Sequence, residues 1–417
     1  MSSYIINGNK KLMGEVKISG AKNATLGILA ASLLANEEVT IENIPDVKDI
    51  NIMLQVISNI GVSVNRVDRN TVKINPQNIK TTIIDDMSLR NIRAGYYLVG
   101  ALLGKCKSAK VRLPGGCDIG KRPIDLHLKG FNSLKANAYI EDDFIVTNAH
   151  ELVGSNIYLD VVSVGATINI MLAACLSQGT TIIENVAKEP HVVDVANFLN
   201  SMGANIKGAG TDIIRIKGVK NLHGTNYSII PDQIEAGTYM ILSAITAGDI
   251  IVKNVIPKHL ESIIAKLIDM GNNVIVYDEA VRVIGNEKQL ATSIKTMPYP
   301  GFPTDLQPQI ACTLSTAKGD SVIVESIFEN RFKYVNEIKK MGAVIEIKNN
   351  TLNIVGIDKL TGAELKVTDL RAGAALVLSA LSANGISKIT NIEYIERGYE
   401  DFENKLKDLG ADIKKEE

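Results

Sequence analysis

The chain has 417 residues, 46% of them hydrophobic and 22% charged, and its 45 Lys and Arg against 46 Asp and Glu leave a formal net charge of −1. This composition allows two or three domains and excludes a disordered chain, while the balanced charge argues against a nucleic-acid-binding protein. Four scattered cysteines exclude a disulfide scaffold, and without a signal segment or a long apolar run we expect a cytoplasmic protein that does not span a membrane.

In chain order, one pattern of elements recurs six times with a period of about 70 residues. An apolar helix, a turn and a β-branched strand come first, followed by an amphipathic helix that a glycine ends and by a pair of strands. Gly203, Gly271, Gly342 and Gly410 lie 68, 71 and 68 residues apart, Gly61 precedes them, and residues 134–136 fill the remaining place without a glycine. Helices that alternate with short strands indicate an α/β fold of compact, pseudo-symmetric domains. The six first helices are predicted over residues 24–34, 94–103, 167–176, 237–245, 309–314 and 372–381.

One residue stands at the start of each of these helices, and the six are Lys22, Arg93, Ser163, Glu235, Asp305 and Arg371. The N-terminus of a helix carries a partial positive charge, so a Lys or Arg there is unfavourable for the helix itself. Three basic residues in this column therefore predict that an anion binds at these helix ends. The alternative is that they are charges exposed to solvent in the first helical turn.

A glycine-rich loop over residues 113–123 interrupts the repeat after the strand 109–113. It matches half of a phosphate-binding P-loop, but Arg122 and Pro123 stand where the Mg²⁺-binding Ser or Thr and the following helix are expected, so we exclude a nucleoside triphosphatase. Cys117 lies in this loop near Lys121 and Arg122, whose charges favour the thiolate. Cys117 is therefore either a proton donor or nucleophile on a mobile lid, or an inert loop thiol.

Asp305 lies in a turn that three prolines and a glycine stiffen over residues 299–308. The residues leave two readings open, a helix N-cap or a rigidly held general base. Arg331 and Arg397 also lie in predicted turns. Each arginine is either a clamp that binds a phosphate or carboxylate group or a member of a surface ion pair. No histidine spacing predicts a metal, and no nucleotide-binding or nucleophilic-serine motif is present, so group transfer on an anionic substrate without a cofactor remains.

Over nearly its whole length the chain resembles the enolpyruvyl transferases. The motifs that carry the resemblance are residues 19–23, 113–117, 122–127, 163–167, 184–185, 302–305, 327–332, 368–372 and 397–400. The resemblance implies two domains, each of three repeated βαβαββ-type units about a pseudo-threefold axis, with helix N-termini facing a shared cleft. Residues 1–20 and 231–417 would form one domain, and residues 21–230 the other, with the catalytic lid loop 112–123.

The resemblance also implies a reaction in which the enolpyruvyl group of phosphoenolpyruvate moves to the 3-hydroxyl of UDP-N-acetylglucosamine and phosphate is released. Cys117 matches the family's proton donor, which also forms a thioadduct and reacts with the epoxide fosfomycin, and Asp305 matches the base. Lys22, Arg122 and Arg397 match the clamp on the phosphate and carboxylate of phosphoenolpyruvate. No nucleic acid, membrane or obligate protein partner is implied.

For the nucleotide sugar the resemblance implies a larger set of residues, with supporting polar side chains. The nucleotide-sugar set is Arg93, Arg122, Pro123, Ile124, Asp125, Leu126, Ser163, Val164, Gly165, Asp305 and Ile327, and the supporting set is Asn23, Arg331, Asp369 and Arg371. Val161 departs from the family pattern, because many members have a Lys there. The alternatives are transfer to shikimate 3-phosphate on the same fold, or a binding module without catalysis.

Overall fold

The structure, a computed structural model, describes residues 2–113 and 124–416, with Asn91 and Arg93 described by their backbone only. Over these residues it has twelve α-helices, which are α1 Lys22–Ser32, α2 Lys48–Asn59, α3 Tyr97–Cys106, α4 Asp125–Ser133, α5 Val164–Ala174, α6 Pro190–Ser201, α7 Gln233–Ile245, α8 Glu261–Asp269, α9 Gln307–Leu314, α10 Val335–Lys340, α11 Leu370–Ser382 and α12 Phe402–Asp408. Short 3₁₀ helices include Arg93–Tyr96, Thr304–Leu306 and Ile392–Arg397.

The same ranges contain 24 strands, most of them three to five residues long. They are β1 Ser3–Asn7, β2 Met13–Lys17, β3 Val39–Glu42, β4 Ser63–Asp68, β5 Thr71–Asn75, β6 Ile83–Ile84, β7 Ser108–Arg112, β8 Asn137–Glu141, β9 Phe144–Asn148, β10 Asn156–Tyr158, β11 Thr180–Glu184, β12 Asn205–Lys207, β13 Ile213–Lys217, β14 Asn226–Ser228, β15 Asp249–Lys253, β16 Asn273–Val276, β17 Ala280–Ile284, β18 Ser293–Lys295, β19 Asp320–Val324, β20 Val344–Lys348, β21 Thr351–Val355, β22 Glu364–Lys366, β23 Ile386–Thr390 and β24 Asp412–Glu416.

These strands form six four-stranded sheets with one shared order. In the sheet β10-β11-β13-β12 the first two strands are parallel, and the other neighbours are antiparallel. A parallel pair needs a crossover connection, so α5 lies between β10 and β11, and α6 comes before the β12–β13 hairpin. The other sheets are β14-β3-β5-β4, β6-β7-β9-β8, β2-β15-β17-β16, β18-β19-β21-β20 and β22-β23-β1-β24. The predicted α/β class and its six βαβαββ repeats are confirmed.

The described residues divide into two compact units, residues 2–19 with 231–416 and residues 20–113 with 124–230. Each unit has its own hydrophobic core. The unit of residues 2–19 and 231–416 is discontinuous in sequence because β1 pairs with β23 and β24, and β2 pairs with β15. In the other unit β14, near the end of the segment, pairs with β3 near its start. Ladder hydrogen bonds between distant segments therefore complete two sheets in the discontinuous unit and one sheet in the other unit.

The first helix of each repeat lies at the centre of its unit. Ten of the eleven residues of α1 are buried, since a helix that is apolar on all sides must be surrounded by protein. Gly100 shows how closely two of these helices approach, because a Cβ atom there would lie 2.2 Å from Oδ1 of Asn169 on α5. The same Oδ1 accepts the backbone N–H of Gly100 at 2.8 Å and so satisfies a donor in the first turn of α3.

Glycine ends the second helix of five repeats, as the sequence predicts. Gly61, Gly203, Gly271, Gly342 and Gly410 have φ between 89° and 100°, a left-handed conformation that glycine adopts without strain. Lys135 occupies the sixth place with φ 68°. The repeat therefore keeps its backbone conformation even where the residue type departs from it.

Five of the six predicted first helices begin two to four residues earlier than their apolar runs suggest, and a capping side chain fixes three of these starts. Ser163, Asp232 and Asp369 accept backbone N–H groups of the first turns of α5, α7 and α11, so those helices start at residues 164, 233 and 370. The apolar pattern misses the first turns of α7 and α11 because they contain polar residues, whereas the first turn of α5 is apolar and only the Ser163 cap marks its start. In the described ranges no helix has the length and apolar character needed to cross a membrane.

Candidate active site

The column of six residues lies at helix starts in the structure, although not always before the first helical residue. Lys22 begins α1, Arg371 is the second residue of α11 and Glu235 the third of α7. Ser163 caps α5, and Asp305 lies in the 3₁₀ turn directly before α9. Arg93 begins the 3₁₀ turn before α3, and its side chain lies outside the described atoms. All six positions therefore belong to the cap or first turns of the central helices.

Lys22 is a buried cation with a buried partner. Its Nζ lies 2.6 Å from Oδ2 of Asp49, and the two side chains are 9% and 4% exposed. Asp49 belongs to the first turn of α2. The expectation of a solvated lysine is therefore wrong at this position. Because the N-terminus of α1 repels a cation, the carboxylate of Asp49 compensates for both the dipole and the burial of the ammonium group.

Asp305 is held by two arginines. Nη2 of Arg331 lies 3.0 Å from Oδ1 of Asp305, and Nη2 of Arg371 lies 3.1 Å from Oδ2. Both arginines are buried, at 2% and 5% exposure, whereas 28% of the Asp305 side chain remains exposed. Asp305 does not cap α9, whose N-cap residue is Leu306, so the N-cap reading is wrong. The surface ion-pair reading of Arg331 is wrong as well, because its guanidinium is part of this buried group.

The arginine at position 371 is oriented from its backbone and from its side chain. Oδ1 of Asp369 accepts the backbone N–H of Arg371 at 2.9 Å and fixes the start of α11. The guanidinium carbon lies 5.5 Å from the centre of the Tyr399 ring. Burial by itself lowers the pKa of Arg371, but Asp305, Tyr399 and Asp232 outweigh it and raise that pKa above its usual value. Arg371 is therefore a permanent positive charge beside Asp305.

Glu235 forms a third buried charged contact in the same unit. Oε1 accepts Nζ of Lys405 at 2.6 Å, and Oε2 accepts the backbone N–H of Ser19 at 2.9 Å. Burial raises the pKa of Glu235, and the ammonium group of Lys405 opposes this shift. The contact links α7 to α12 and to the segment after β2, which is a structural role.

In the other unit, a neutral polar cluster lies beside the start of α5. The amide nitrogen of Asn169 lies 3.0 Å from Nδ1 of His127 and 2.8 Å from the backbone oxygen of Tyr96. Burial lowers the pKa of His127 to about 4, so the imidazole is uncharged at neutral pH. A Cβ atom on Gly165 would lie 2.7 Å from the Tyr96 hydroxyl, which explains glycine in the first turn of α5.

Several further residues predicted for the site lie in the described part of the chain. Ile124 and Leu126 are half-buried and Asp125 is exposed at the start of α4. Val164 follows the Ser163 cap, Ile327 is 37% exposed, and Asn23 and Arg397 are half-buried. Val161 is 62% exposed. Cys117, Arg122 and Pro123 lie outside the described residues.

Of the remaining cysteines, Cys175 and Cys312 are fully buried, and burial raises the pKa of each thiol to about 12. Cys106 is half-buried, and burial raises its pKa as well. Cys175 and Cys312 are therefore core residues. None of the three is a reactive thiol at neutral pH.

The sequence reading missed Asp49 and did not single out Tyr399. Asp49 follows Lys22 by 27 residues and looks like an ordinary acidic residue at the start of a helix. Tyr399 lies within a matched motif but carries no signal for its contact with Arg371. Both depend on how separate helices pack, which spacing along the chain does not report.

Comparison with known proteins identifies the family. A family model described as EPSP synthase (3-phosphoshikimate 1-carboxyvinyltransferase) matches residues 6–406. The chain is 54% identical over 414 residues to a UDP-N-acetylglucosamine 1-carboxyvinyltransferase of Clostridium botulinum, with 99% of each chain covered. The chain belongs to the EPSP synthase family of enolpyruvyl transferases. It is therefore a transferase, and the predicted family is confirmed.

Other members of this enolpyruvyl transferase family agree. A UDP-N-acetylglucosamine 1-carboxyvinyltransferase of Halothermothrix orenii is 48% identical over 415 residues, with 100% of both chains covered. The enolpyruvyl transferase NikO from Streptomyces tendae superimposes with a TM-score of 0.88 at 24% identity, covering 100% of this chain and 99% of its own. EPSP synthase from Acinetobacter baumannii gives 0.76 at 19% identity with 100% of both chains covered. These two structures establish the fold alone.

Proposed function

We propose that this enolpyruvyl transferase moves the enolpyruvyl group of phosphoenolpyruvate to the 3-hydroxyl of UDP-N-acetylglucosamine and releases phosphate, the first committed step of peptidoglycan synthesis. The observation that carries the choice of acceptor is the full-length identity of 48–54% to relatives named UDP-N-acetylglucosamine 1-carboxyvinyltransferase. The shikimate 3-phosphate alternative rests on the family description alone. The enzyme would work in the cytoplasm, without a cofactor.

The first step is protonation of the donor. Cys117, outside the described residues, gives its proton to the methylene carbon of phosphoenolpyruvate and leaves positive charge at the neighbouring carbon. Lys22, Arg122 and Arg397 hold the phosphate and carboxylate. The structure supports this role for Lys22, because Asp49 aligns its ammonium group at the start of α1, where backbone N–H groups add further positive potential for an anion.

The second step joins the acceptor. The 3-hydroxyl oxygen attacks the cationic carbon while Asp305 accepts the hydroxyl proton, which gives a tetrahedral adduct. The methyl carbon then returns its extra proton, and phosphate leaves as the double bond reforms, so protons and electrons balance. The support is geometric: Arg331 and Arg371 hold the carboxylate in place through three hydrogen bonds, and 28% of its side chain is exposed.

The nucleotide sugar would be bound by the residues that match the family pattern. The proposed set is Arg93, Arg122, Pro123, Ile124, Asp125, Leu126, Ser163, Val164, Gly165, Asp305 and Ile327, with Asn23, Arg331, Asp369 and Arg371 in support. Among these, Asp369 and Arg331 act in the described contacts by orienting Arg371 and Asp305. Domains of 1–20 with 231–417 and of 21–230 complete the proposal.

The test is phosphate release from phosphoenolpyruvate with UDP-N-acetylglucosamine and, separately, with shikimate 3-phosphate. We expect turnover with the first acceptor only, and loss of it in Cys117→Ser and Asp305→Ala. Cys106→Ser is the matched control and keeps wild-type turnover. Intact-mass measurement after fosfomycin and UDP-N-acetylglucosamine should find one adduct on Cys117. Turnover with shikimate 3-phosphate, or nucleotide-sugar binding without phosphate release, would contradict the proposal.

A further inference from the structure

The six repeats allow each position to be compared with its equivalents, and one turn follows a common rule in four of them. After the second strand of the repeat comes an asparagine with φ between 57° and 61°, at Asn43, Asn185, Asn254 and Asn391. In three repeats its side-chain amide donates, at 2.7–2.8 Å, to the carbonyl of the residue that follows the first strand. This asparagine is therefore a shared feature of the repeat, and its hydrogen bond links the ends of two parallel strands.

The residues on either side of this contact are buried and aliphatic in the same four repeats. The asparagine is followed by Ile44, Val186, Val255 or Ile392, and the first strand is followed by Ile229, Leu159, Ile18 or Val367, all of them 4% exposed or less. Two aliphatic side chains thus close each of these strand ends, as expected for positions that only fill the core.

The repeat that contains β18 and β19 breaks the rule. Glu325 follows β19 directly, without an asparagine, and its N–H donates to the carbonyl of Asn350 at 2.8 Å as the N–H of Val255 donates to Glu279 at 3.1 Å. Glu325 therefore occupies the position of the buried aliphatic residues. Thr296 follows β18 and takes the place of the other one. Both are buried, at 2% and 0% exposure.

The carboxylate of Glu325 accepts four hydrogen bonds. Oε1 accepts the Thr296 hydroxyl at 2.9 Å and the backbone N–H groups of Ile327 and Phe328 at 2.8 and 3.2 Å. Oε2 accepts the Thr304 hydroxyl at 2.9 Å. The generic contact is replaced as well, because the hydroxyl of Ser326 donates to the Thr296 carbonyl where the other repeats use asparagine.

A buried carboxylate at this turn costs more free energy than a buried aliphatic side chain. Taking a charge out of water costs several kcal/mol unless hydrogen bonds replace the lost solvation. Four other repeats close the same strand ends with aliphatic side chains and avoid that cost. What the carboxylate adds is a link between two turns: Thr304 directly precedes Asp305, and Ile327 is a proposed nucleotide-sugar contact.

We infer that Glu325 is a positioning residue that holds the turn of Asp305 and the turn of Ile327 in register for the acceptor. The inference rests on the proposed function, since it concerns the acceptor half of the same site. It predicts that Glu325 affects the KM for the nucleotide sugar and kcat, and leaves the KM for phosphoenolpyruvate nearly unchanged.

The decisive variant restores the aliphatic pair of the other repeats, Thr296→Val with Glu325→Val. Because the variant leaves the N–H groups of Ile327 and Phe328 and the hydroxyl of Thr304 without their acceptor, we expect a Tm below that of the wild type, with the fold retained. The kcat/KM for UDP-N-acetylglucosamine should fall about 10- to 100-fold, since small displacements of binding groups have effects of this size. Asn254→Ala is the matched control, which loses a generic strand-end contact and keeps wild-type kinetics.

Two single variants keep the test valid if the double variant fails to fold. Thr304→Val removes the link to the Asp305 turn alone and should lower kcat/KM for the nucleotide sugar about fivefold, the value of one ordinary hydrogen bond. Glu325→Gln keeps the shape and one acceptor oxygen, so it should restore much of the activity lost on replacement by Val. Wild-type kinetics in both Thr304→Val and the double variant would overturn the inference. So would equal changes in the KM for UDP-N-acetylglucosamine and the KM for phosphoenolpyruvate. Wild-type enzyme that does not use UDP-N-acetylglucosamine would instead overturn the proposed function.

Discussion

The two units carry charged groups of opposite sign at equivalent helix starts, and they compensate for them differently. At the start of α1 a cation, Lys22, is paired with one buried carboxylate. Before α9 an anion, Asp305, is paired with two buried guanidinium groups. The helix dipole favours only the anion. Lys22 therefore stands at its position against the local electrostatics, as its proposed contact with the anionic donor requires, whereas Asp305 is a carboxylate held in place by two positive charges.

The largest expected effect comes from replacing Asp305, the anion of the two charged groups compared above, with a neutral residue. Asp305→Asn removes the proposed proton acceptor and should lower kcat about 10²- to 10⁴-fold. It also leaves two buried guanidinium groups without a counter-charge, which should lower the free energy of unfolding by about 3 kcal/mol. Steady-state phosphate release and urea unfolding measure the two effects. Asp278→Asn, an exposed aspartate, is the control, and an unchanged kcat in Asp305→Asn would remove Asp305 from the mechanism.

Breaking the ion pair between Lys22 and Asp49 should instead affect the binding of phosphoenolpyruvate, the donor substrate. Asp49→Asn leaves the Lys22 ammonium group buried without its carboxylate, so the free energy of unfolding should fall by about 3 kcal/mol and the KM for phosphoenolpyruvate should rise about tenfold. The double variant Lys22→Met with Asp49→Leu should regain stability without activity, since it removes both charges. If Asp49→Asn were as stable as the wild type, the pair would not be the compensation described above.

The neutral cluster of the unit that contains Lys22 gives a smaller, pH-dependent effect. The pKa of His127 is lowered to about 4 in the folded protein from 6.5. Its contribution to stability is therefore complete above pH 6.5 and is lost as the pH falls, because only the unfolded chain takes up the proton. Linkage gives a loss of about 1 kcal/mol between pH 7 and pH 5.5.

Urea unfolding at the two pH values measures this loss. His127→Gln, which is uncharged throughout, should show a smaller decrease than the wild type by that amount. Comparing the two proteins cancels the contributions of other titrating groups, such as Asp194, whose pKa burial raises to about 6. Equal decreases in both proteins would show that the imidazole is charged in the folded state.

The smallest expected effect concerns the backbone of the repeat and leaves the charged residues of the candidate site unchanged. Lys135→Gly places glycine at the one helix end of the six where a side chain has φ 68°. Relief of the left-handed strain should raise the free energy of unfolding by about 0.5–1 kcal/mol, with kinetics unchanged. Lys135→Ala is the control and should bring no gain. A gain of equal size in both variants would point to the lost lysine charge rather than to the backbone.

The fold was largely predictable, because a repeat states the same pattern six times and single departures do not hide it. The glycines at helix ends, the apolar central helices and the paired strands all follow from local periodicity. The starts of α5, α7 and α11 were not predictable from the apolar runs, because their first turns are fixed by the capping side chains of Ser163, Asp232 and Asp369.

The candidate site divides in the same way. The column with Lys22, Asp305 and Arg371 was found by aligning the repeats, and its chemistry by residue type and resemblance. The pairings among these residues were not found, although Arg331 and Arg371 had been named for the site. Asp49 and Glu325 look like ordinary acidic residues in the chain, and nothing nearby in sequence distinguishes Glu325 from an exposed glutamate at the end of a strand.

The period, the element types and the residues at the helix starts all follow from the order of amino acids along the chain. Which charges meet depends on how the chain packs: Lys22 lies 2.6 Å from Asp49, and Asp305 lies 3.0 and 3.1 Å from Arg331 and Arg371. The physical reason is that hydrogen bonds and buried ion pairs act over about 3 Å through space. Such distances are set by how helix ends and turns pack in three dimensions, and the local spacing that defines a helix or a strand does not contain them.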